Sequence, residues 1–270
     1  MNEEKEPRGP SGAAAAEAAA DDAGCKDKAE AAPTGETVQA GEAETPLVDE
    51  GVQAGEAAAP CGPSLEGIAF VGDALAPFFL QDPRTGNAGA AFAALAALDV
   101  ESAAAEWPFV EAGEAVRDLG LMRQGLADGV DDDALVWEYR RLFVGPDKRP
   151  APPWGSVYTE RDCVVFGEST LALRDWMRGR GIARTTDERT PEDHIGLMLA
   201  LMAWVARNQP AALDDYLSLH LLTWSSHFLG RLEDVAEHPF YRGLARLTRA
   251  SLEGIQRDRG LTVVYPKFYR

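Results

Sequence analysis

The sequence lacks any long uninterrupted run of apolar residues. Nowhere in its 270 residues is there a stretch of about 18 apolar residues, the length that a membrane-spanning helix needs. It also has only three cysteines, Cys25, Cys61 and Cys163, and their wide separation favours neither a disulfide framework nor a paired-cysteine metal site. We therefore expect a protein of the reducing cytoplasm with no stable membrane insertion.

Aromatic residues are missing from the first 62 positions, a segment rich in Ala, Gly and Pro with 14 acidic and 4 basic residues. Such a segment buries too little apolar surface to offset the entropy cost of ordering it. The Ala-rich run at 13–20 is interrupted by Glu17 and follows an acidic start, so it does not have the pattern of a secretion signal. We predict a disordered, low-complexity acidic tail over 1–62 and one folded domain over 63–270.

Positive charge is scarce along the whole chain. The formal net charge is −18, of which the first 62 residues carry −10 and the remainder −8. A surface of this sign repels phosphate backbones, so no nucleic-acid partner is expected. It favours a basic ligand, although an acidic surface also serves solubility alone.

The motifs of common enzyme and metal sites are absent from the sequence as well. It contains no Gly-x-Ser-x-Gly elbow, no Gly-x-x-x-x-Gly-Lys-Ser/Thr phosphate loop and no His-x-x-x-His pair. Two of the four histidines, His220 and His227, fall on the apolar arc of their helix, which favours satisfied interior histidines over metal ligands. We predict no catalytic residue, no metal site and no cofactor.

Helical spacing of apolar residues dominates the chain from Leu65 onward. It predicts an all-α fold, a single helical bundle, because no alternating polar and apolar run is long enough for a sheet. The irregular stretch 145–166 contains several prolines that support Trp154, which suits binding better than catalysis. The predicted helices span 65–80, 88–98, 109–127, 132–144, 168–179, 191–207, 211–232 and 239–257.

Two predicted helices carry polar or aromatic residues in unusual places. In helix 132–144 the apolar arc has Glu138 on one border, which predicts a carboxylate at the rim of a groove. Trp137 lies opposite that arc, and we expect it to pack beneath another element rather than to form a binding surface, the alternative reading.

The helix predicted over 191–207 begins with the pattern of a capping box. Thr190 is the expected N-cap, Pro191 the first helical residue, and Asp193 the side chain that reaches back to the cap. Asp193 is thus first a capping residue and, alternatively, a binding carboxylate. His194 is subject to opposed influences, because a helix N-terminus disfavours its protonated form and an adjacent carboxylate favours it.

Several separated blocks resemble the TorD/DmsD family of redox-enzyme maturation chaperones, and in order and spacing its dimethyl sulfoxide reductase branch in particular. The first block, Glu-Tyr-Arg-Arg-Leu-Phe-Val-Gly-Pro at 138–146, fits a Glu-Tyr-x-x-Leu-Phe-x-x-Pro pattern. The resemblance covers residues from about 64 to 270. The other blocks are Pro-Pro-Trp-Gly-Ser-Val-Tyr at 152–158, Phe-Gly-Glu-Ser-Thr-Leu-Ala-Leu-Arg at 166–174, Pro-Glu-Asp-His at 191–194 and His-Pro-Phe-Tyr at 238–241.

The resemblance implies an all-helical cytoplasmic chaperone that is not an enzyme. Such a chaperone binds the twin-arginine leader of a molybdenum oxidoreductase catalytic subunit, holds the precursor until its molybdopterin cofactor is inserted, and delays export; components of the Tat translocase are further expected partners. Two alternatives stay open, a general helical scaffold for another cytoplasmic partner and a guanine-nucleotide-binding protein. The leader-binding positions that the resemblance implies are Tyr139, Leu142, Phe143, Trp154, Gly167, Asp193 and His194.

The chemistry of a leader agrees with this set of residues. A leader has a basic start and an apolar middle, so Glu138 or Asp193 is expected to pair with a leader arginine. Leu142, Phe143 and Trp154 are expected to receive the apolar part as a helix in a groove. Some family members carry a carboxylate four residues after the histidine, where this chain has Met198.

Overall fold

The computed structural model describes residues 63–84, 87–145, 148–184 and 190–270, and α-helices are the main regular element in these ranges. Within these ranges there are eleven α-helices and no strand, so the predicted all-α class is confirmed. The predicted acidic tail over 1–62 lies outside the described residues. No helix within these ranges is both long and apolar enough to cross a membrane.

Most helices follow one another with short connections; the longer ones lie between the fifth and the seventh helix and between the seventh and the eighth. Two π-helical segments, Arg140–Val144 and Leu217–Leu221, directly continue α5 and α9, and a 3₁₀ turn, Pro210–Ala212, precedes α9. The α-helices are α1 Pro63–Leu80, α2 Gly89–Ala96, α3 Val100–Glu106, α4 Ala112–Gln124, α5 Asp133–Tyr139, α6 Ser156–Thr159, α7 Glu168–Gly179, α8 Ile195–Asn208, α9 Leu213–Tyr216, α10 Ser225–Val235 and α11 Pro239–Asp258.

The predicted helices correspond to observed ones, and the differences have local causes. Helix α3 was not predicted, because its Ala-rich sequence has no strong apolar period; its start is fixed by the Asp99 carboxylate, which accepts the Ser102 N–H at 2.8 Å. The one-turn helix α6 lies inside the stretch predicted to be irregular. The segment predicted as one helix over 211–232 is interrupted between Leu221 and Ser225.

Helices α1 and α8 form the centre of the bundle. Both are strongly apolar, and the side chains of Ile68, Leu75 and Leu199 on them are almost fully buried. Their backbones approach closely because each contributes a glycine to the crossing. A Cβ atom on Gly72 would overlap the Leu199 carbonyl oxygen, and one on Gly196 would lie 2.6 Å from Leu80 Cγ. Neither position therefore accommodates a side chain.

An aromatic cluster joins this centre to α5 and α11. The Phe143 ring lies 5.9 Å from Phe79, 5.4 Å from Tyr139 and 5.8 Å from Tyr241, each in an edge-to-face arrangement. Such pairs contribute about 0.5–1.5 kcal/mol each beyond the area that they bury. The π-helical end of α5 is thereby held against the core.

We predict that Gly72→Ala destabilises the protein by about 1–3 kcal/mol, because the added methyl group forces α1 and α8 apart. The matched control is Gly120→Ala in α4, where an added Cβ would meet nothing within 4 Å. That change should stabilise the helix by roughly 0.5–1 kcal/mol, since alanine loses less backbone entropy. Urea unfolding of both variants measures the difference, and equal unfolding free energies would contradict the close crossing.

Candidate functional site

The proline-rich stretch after α5 is fastened to the start of α8 by an antiparallel β-bridge between Trp154 and His194. The Ile195 N–H donates to the Pro153 carbonyl at 2.9 Å, and the Gly155 N–H donates to the Asp193 carbonyl at 3.2 Å. Trp154 and His194, which are 40 residues apart in the chain, therefore lie side by side. Three of the predicted site residues, Trp154, Asp193 and His194, are brought together in this way.

Trp154 is held between two side chains. Its ring centroid lies 5.7 Å from that of His194 at an interplanar angle of 77°, and the Arg149 guanidinium lies 5.0 Å above its centroid. Arg149 also donates hydrogen bonds to the carbonyls of Phe143 at 3.1 Å and Val144 at 2.9 Å. It thereby links Trp154 to the end of the π-helical segment. Arg149 was not predicted from the sequence, although a basic residue just before a run of prolines was a usable signal.

Asp193 does not have the position that the capping-box pattern predicts. Helix α8 begins at Ile195 with His194 as its N-cap, so the predictions for Thr190, Pro191 and Asp193 at this helix start were wrong. The Asp193 carboxylate instead accepts the Ser156 N–H at 2.8 Å, at the start of α6. It is only 3% exposed, and burial raises its pKa despite the opposing effect of the Ser156 hydrogen bond. The capping-box prediction failed because the Asp193 carboxylate bonds to Ser156, which is distant in the sequence, instead of to the nearby backbone at the helix start.

His194 is buried and neutral. Burial, together with the positive charge of Arg149, lowers the pKa of its imidazole to about 3. Its Nδ1 atom accepts the Gly196 N–H at 3.1 Å, which only an unprotonated nitrogen can do. The pKa is therefore lowered by burial and by Arg149, and not by either of the two influences expected from the sequence, the helix N-terminus and the adjacent carboxylate.

Glu138 lies in the interior rather than on a rim. It is 5% exposed, and the predicted rim position was therefore wrong. Arg141 donates to both of its oxygens, at 2.7 Å and 2.9 Å, and the backbone N–H groups of Glu237 and His238 donate to Oε1 at 2.6 Å and 3.3 Å. The carboxylate thus anchors the segment before α11, and these bonds lower its pKa against the effect of burial.

The other four predicted residues are buried. Tyr139, Leu142 and Phe143 are buried and belong to the core. Gly167 is the N-cap of α7, and a Cβ atom there would come within 2.5 Å of the Glu160 side chain. None of these four residues presents a side chain at the surface, while Trp154 is partly exposed.

The last residues of the sequence are bonded to the same loop. The Tyr269 N–H donates to the Tyr158 carbonyl at 2.9 Å, and the Arg270 guanidinium donates to the Arg149 carbonyl at 2.8 Å. His227 stacks on Phe268 with centroids 4.1 Å apart. The loop that carries Trp154 is therefore bordered by α8 on one side and by residues 268–270 on another.

Trp137 is the main exception to the predicted packing. Its side chain is 74% exposed, so the expectation that another element covers it was wrong. The helical arithmetic that placed it opposite the apolar arc was correct, and no described element packs over that face.

Two further histidines were predicted to be satisfied in the interior. His227 Nε2 lies 2.7 Å from the Arg270 carbonyl oxygen. His220 packs against Trp176 and Tyr216 and is half-buried, and its buried Nε2 has no hydrogen-bond partner among the described residues, so the prediction of a satisfied interior histidine is not confirmed there. Burial lowers its pKa to about 4.

Comparison with known proteins decides the family. Residues 111–230 match the family described as Nitrate reductase delta subunit. The chain is 44% identical over 150 residues to the probable Tat proofreading chaperone DmsD of Haemophilus influenzae, a region that covers 56% of this chain and 71% of that protein. The chain belongs to the TorD/DmsD family. It is a chaperone of that family rather than an enzyme, and the resemblance found in its sequence blocks is confirmed.

Other members of the TorD/DmsD family show the same relationship. The Tat proofreading chaperone DmsD of Salmonella paratyphi A is 40% identical over 167 residues, which cover 62% of this chain and 79% of that protein. The chaperone protein YcdY of Escherichia coli is 31% identical over 156 residues, covering 56% and 75% respectively. The matches to both proteins span most of the relative's length.

We predict that the protein loses stability as the pH falls from 7.5 to 5. His194 and His220 have pKa values lowered to about 3 and 4 in the folded state, so between these values and about pH 6.5 the unfolded chain binds more protons than the folded one. Each histidine then removes up to about 1.4 kcal/mol per pH unit. The stability should be regained fully above the unfolded pKa.

The measurement is urea unfolding of the wild type and of His194→Asn across this pH range. Asparagine is a good N-cap and keeps an oxygen that can accept the Gly196 N–H, so the variant should fold. Its unfolding free energy should fall less steeply with acidification than that of the wild type. Identical slopes would show that His194 is not a buried neutral imidazole.

Proposed function

We propose that this chain is a cytoplasmic chaperone that binds the twin-arginine leader of a molybdenum oxidoreductase catalytic subunit of the dimethyl sulfoxide reductase type. It holds the precursor until the molybdopterin cofactor is inserted and so delays export; components of the Tat translocase are further partners in this proposal. The observation that carries it is the 40–44% identity to proteins named Tat proofreading chaperone DmsD. We also propose that residues 63–270 suffice for leader binding.

The arrangement around Trp154 supports the binding of an apolar peptide segment. Its ring is partly exposed, and Arg149 and His194 hold it from two sides. Because the loop is fixed to α8 by backbone hydrogen bonds, little side-chain or loop entropy remains to be lost when a ligand binds. Trp154 is therefore the residue that we propose to contact the leader directly.

The other seven predicted residues enter this proposal in a supporting role. Glu138, Asp193 and His194 are buried and hold neighbouring backbone segments by hydrogen bonds. Tyr139, Leu142, Phe143 and Gly167 are buried, and we take them as the packed floor of the site. We propose that they position the surface that the leader meets, and that neither buried carboxylate pairs with a leader arginine.

The charge of the protein agrees with a basic ligand. The formal net charge is −18, and a surface of one sign raises the rate at which ligands of the opposite sign associate. This attraction acts over distances of about 8 Å at physiological salt. It therefore brings a basic leader to the protein without specifying where each arginine binds.

We predict that Trp154→Ala weakens binding of a synthetic twin-arginine leader peptide by about 1–3 kcal/mol, because it removes an aromatic anchor while leaving the buried floor in place. The matched control is Trp204→Ala, which truncates a tryptophan that is 40% exposed. Trp204 lies on α8, about 15 Å along the helix axis from His194. Isothermal titration calorimetry gives both affinities, and residues 63–270 alone should bind like the full chain. Loss of affinity in the control but not in Trp154→Ala would place the leader elsewhere.

We further predict that Asp193→Asn leaves leader affinity within a factor of about two. The asparagine carbonyl can still accept the Ser156 N–H, and removal of a buried charge should change the unfolding free energy by no more than about 1 kcal/mol. Calorimetry with the same peptide is the direct measurement. A loss of 1.5 kcal/mol or more (roughly the minimum for a hydrogen bond to a charged group) would instead show that the carboxylate reaches a leader arginine.

A further inference from the structure

A surface cavity of about 360 Å³ opens between α5 and the start of α11, beside the exposed Trp137. Its volume lies at the lower end of the range of about 300–1,000 Å³ that ligand-binding sites occupy. The cavity is separate from the Trp154 loop, and none of its lining residues belongs to that loop. The residues that matter for its chemistry are Trp137, Glu138, Arg141, Glu237, His238 and Pro239.

Trp137 gives the cavity an unusual wall. At 74% exposure it is the most exposed aromatic side chain among the residues that the structure describes. Soluble proteins seldom leave so large an apolar group in water without a use for it, because covering it is favourable. Pro239 adds a second apolar surface to the same cavity.

The charges around the cavity leave one carboxylate largely unneutralised. Arg141 is committed to Glu138 by two hydrogen bonds and also donates to the Val235 carbonyl at 2.6 Å. The Glu237 side chain is 82% exposed, and the Arg141 guanidinium lies only at 3.8 Å from it. His238 adds no compensating charge near neutral pH, because burial lowers the pKa of its imidazole despite the nearby Asp132 and Glu138 carboxylates.

An aromatic face next to an exposed carboxylate matches one side chain best. A guanidinium group is planar, so it stacks on an indole ring while its N–H groups bond to a carboxylate. A lysine ammonium lacks the planar fork and is more strongly hydrated, which makes it a poorer match. The combination of Trp137 and Glu237 therefore favours arginine over lysine.

We propose that the cavity between Trp137 and Glu237 binds an arginine side chain of the leader peptide. This inference rests on the proposed function, since it names where the basic part of that ligand is recognised. The cavity offers an exposed carboxylate, that of Glu237, whereas Glu138 and Asp193 are both buried.

The position of the cavity is compatible with a leader that also meets Trp154. Trp137 and Val144, which is 51% exposed, are seven residues apart in one continuous helical segment, or about 10 Å along its axis. Arg149 then connects the Val144 carbonyl to the Trp154 ring. A peptide with a basic start and an apolar middle can thus place its arginine at the cavity and its apolar part towards Trp154.

The test uses the full chain and three synthetic leader peptides that carry the native arginine pair, two lysines or two glutamines in its place. Calorimetry compares the wild type with Trp137→Ala and Glu237→Gln. The matched controls are Trp204→Ala and Glu111→Gln, which change a tryptophan and an exposed carboxylate at other sites. Because Trp137 and the Glu237 side chain are exposed, both test variants should melt like the wild type.

We expect each test variant to bind the arginine peptide roughly 3- to 10-fold more weakly than the wild type, and to bind the glutamine peptide with unchanged affinity. Trp137→Ala and Glu237→Gln should each weaken binding of the lysine peptide less than binding of the arginine peptide. Adding salt should reduce the effect of Glu237→Gln, since the pair is exposed. The two controls should bind all three peptides as the wild type does.

The outcomes separate this inference from the proposed function. Wild-type affinity of both test variants for the arginine peptide, with Trp154→Ala still weakened, would overturn the cavity and leave leader binding intact. An equal loss for the arginine and glutamine peptides would also overturn it, because the cavity would then not recognise arginine. If the wild type binds no leader peptide at all, the proposed function fails and this inference fails with it.

Discussion

The β-bridge between Trp154 and His194 fixes the position of everything else at the candidate site. A loop with several prolines has few N–H groups of its own to bond, so it depends on a neighbouring segment for its order. Here the start of α8 and the residue before its N-cap provide that segment: the Ile195 N–H donates to the Pro153 carbonyl, and the Asp193 carbonyl accepts the Gly155 N–H. Since α8 itself is packed against α1 through two glycines, the loop is fixed to the tightly packed centre of the bundle.

The acidic residues fall into two groups with different physical roles. Glu138 and Asp193 are buried, and each uses its oxygens to satisfy backbone N–H groups at the start of another element. The cost of burying such a carboxylate is offset only while those bonds persist. The Glu237 side chain, in contrast, is 82% exposed, which is why we propose it, rather than the buried pair, as the carboxylate that meets a ligand.

The helices were predictable from the sequence because apolar spacing reflects local geometry. What the sequence did not reveal were partners far away along the chain. The pattern Thr190, Pro191 and Asp193 is a sound local cap, but Ser156 takes the carboxylate instead. Glu138 was placed correctly on the border of the apolar arc, yet the backbone of residues 237 and 238 covers it. For Trp137 the error was the reverse: it was expected to be covered and is exposed. Apolar periodicity does not tell whether a second element will cover an outward-facing side chain.

The different exposure of the tryptophans has a spectroscopic consequence. Trp137 lies almost entirely in water, Trp154 is partly shielded by Arg149 and His194, and Trp224 is 3% exposed in the core. A dissolved quencher such as iodide reaches an indole only where solvent does, so the intrinsic fluorescence of this protein should contain a red-shifted, easily quenched part and a blue-shifted, protected part. Trp137 on α5 is the most exposed contributor to the quenched part, and Trp204 on α8, at 40% exposure, is the next, so quenching observes these two helices without any attached label.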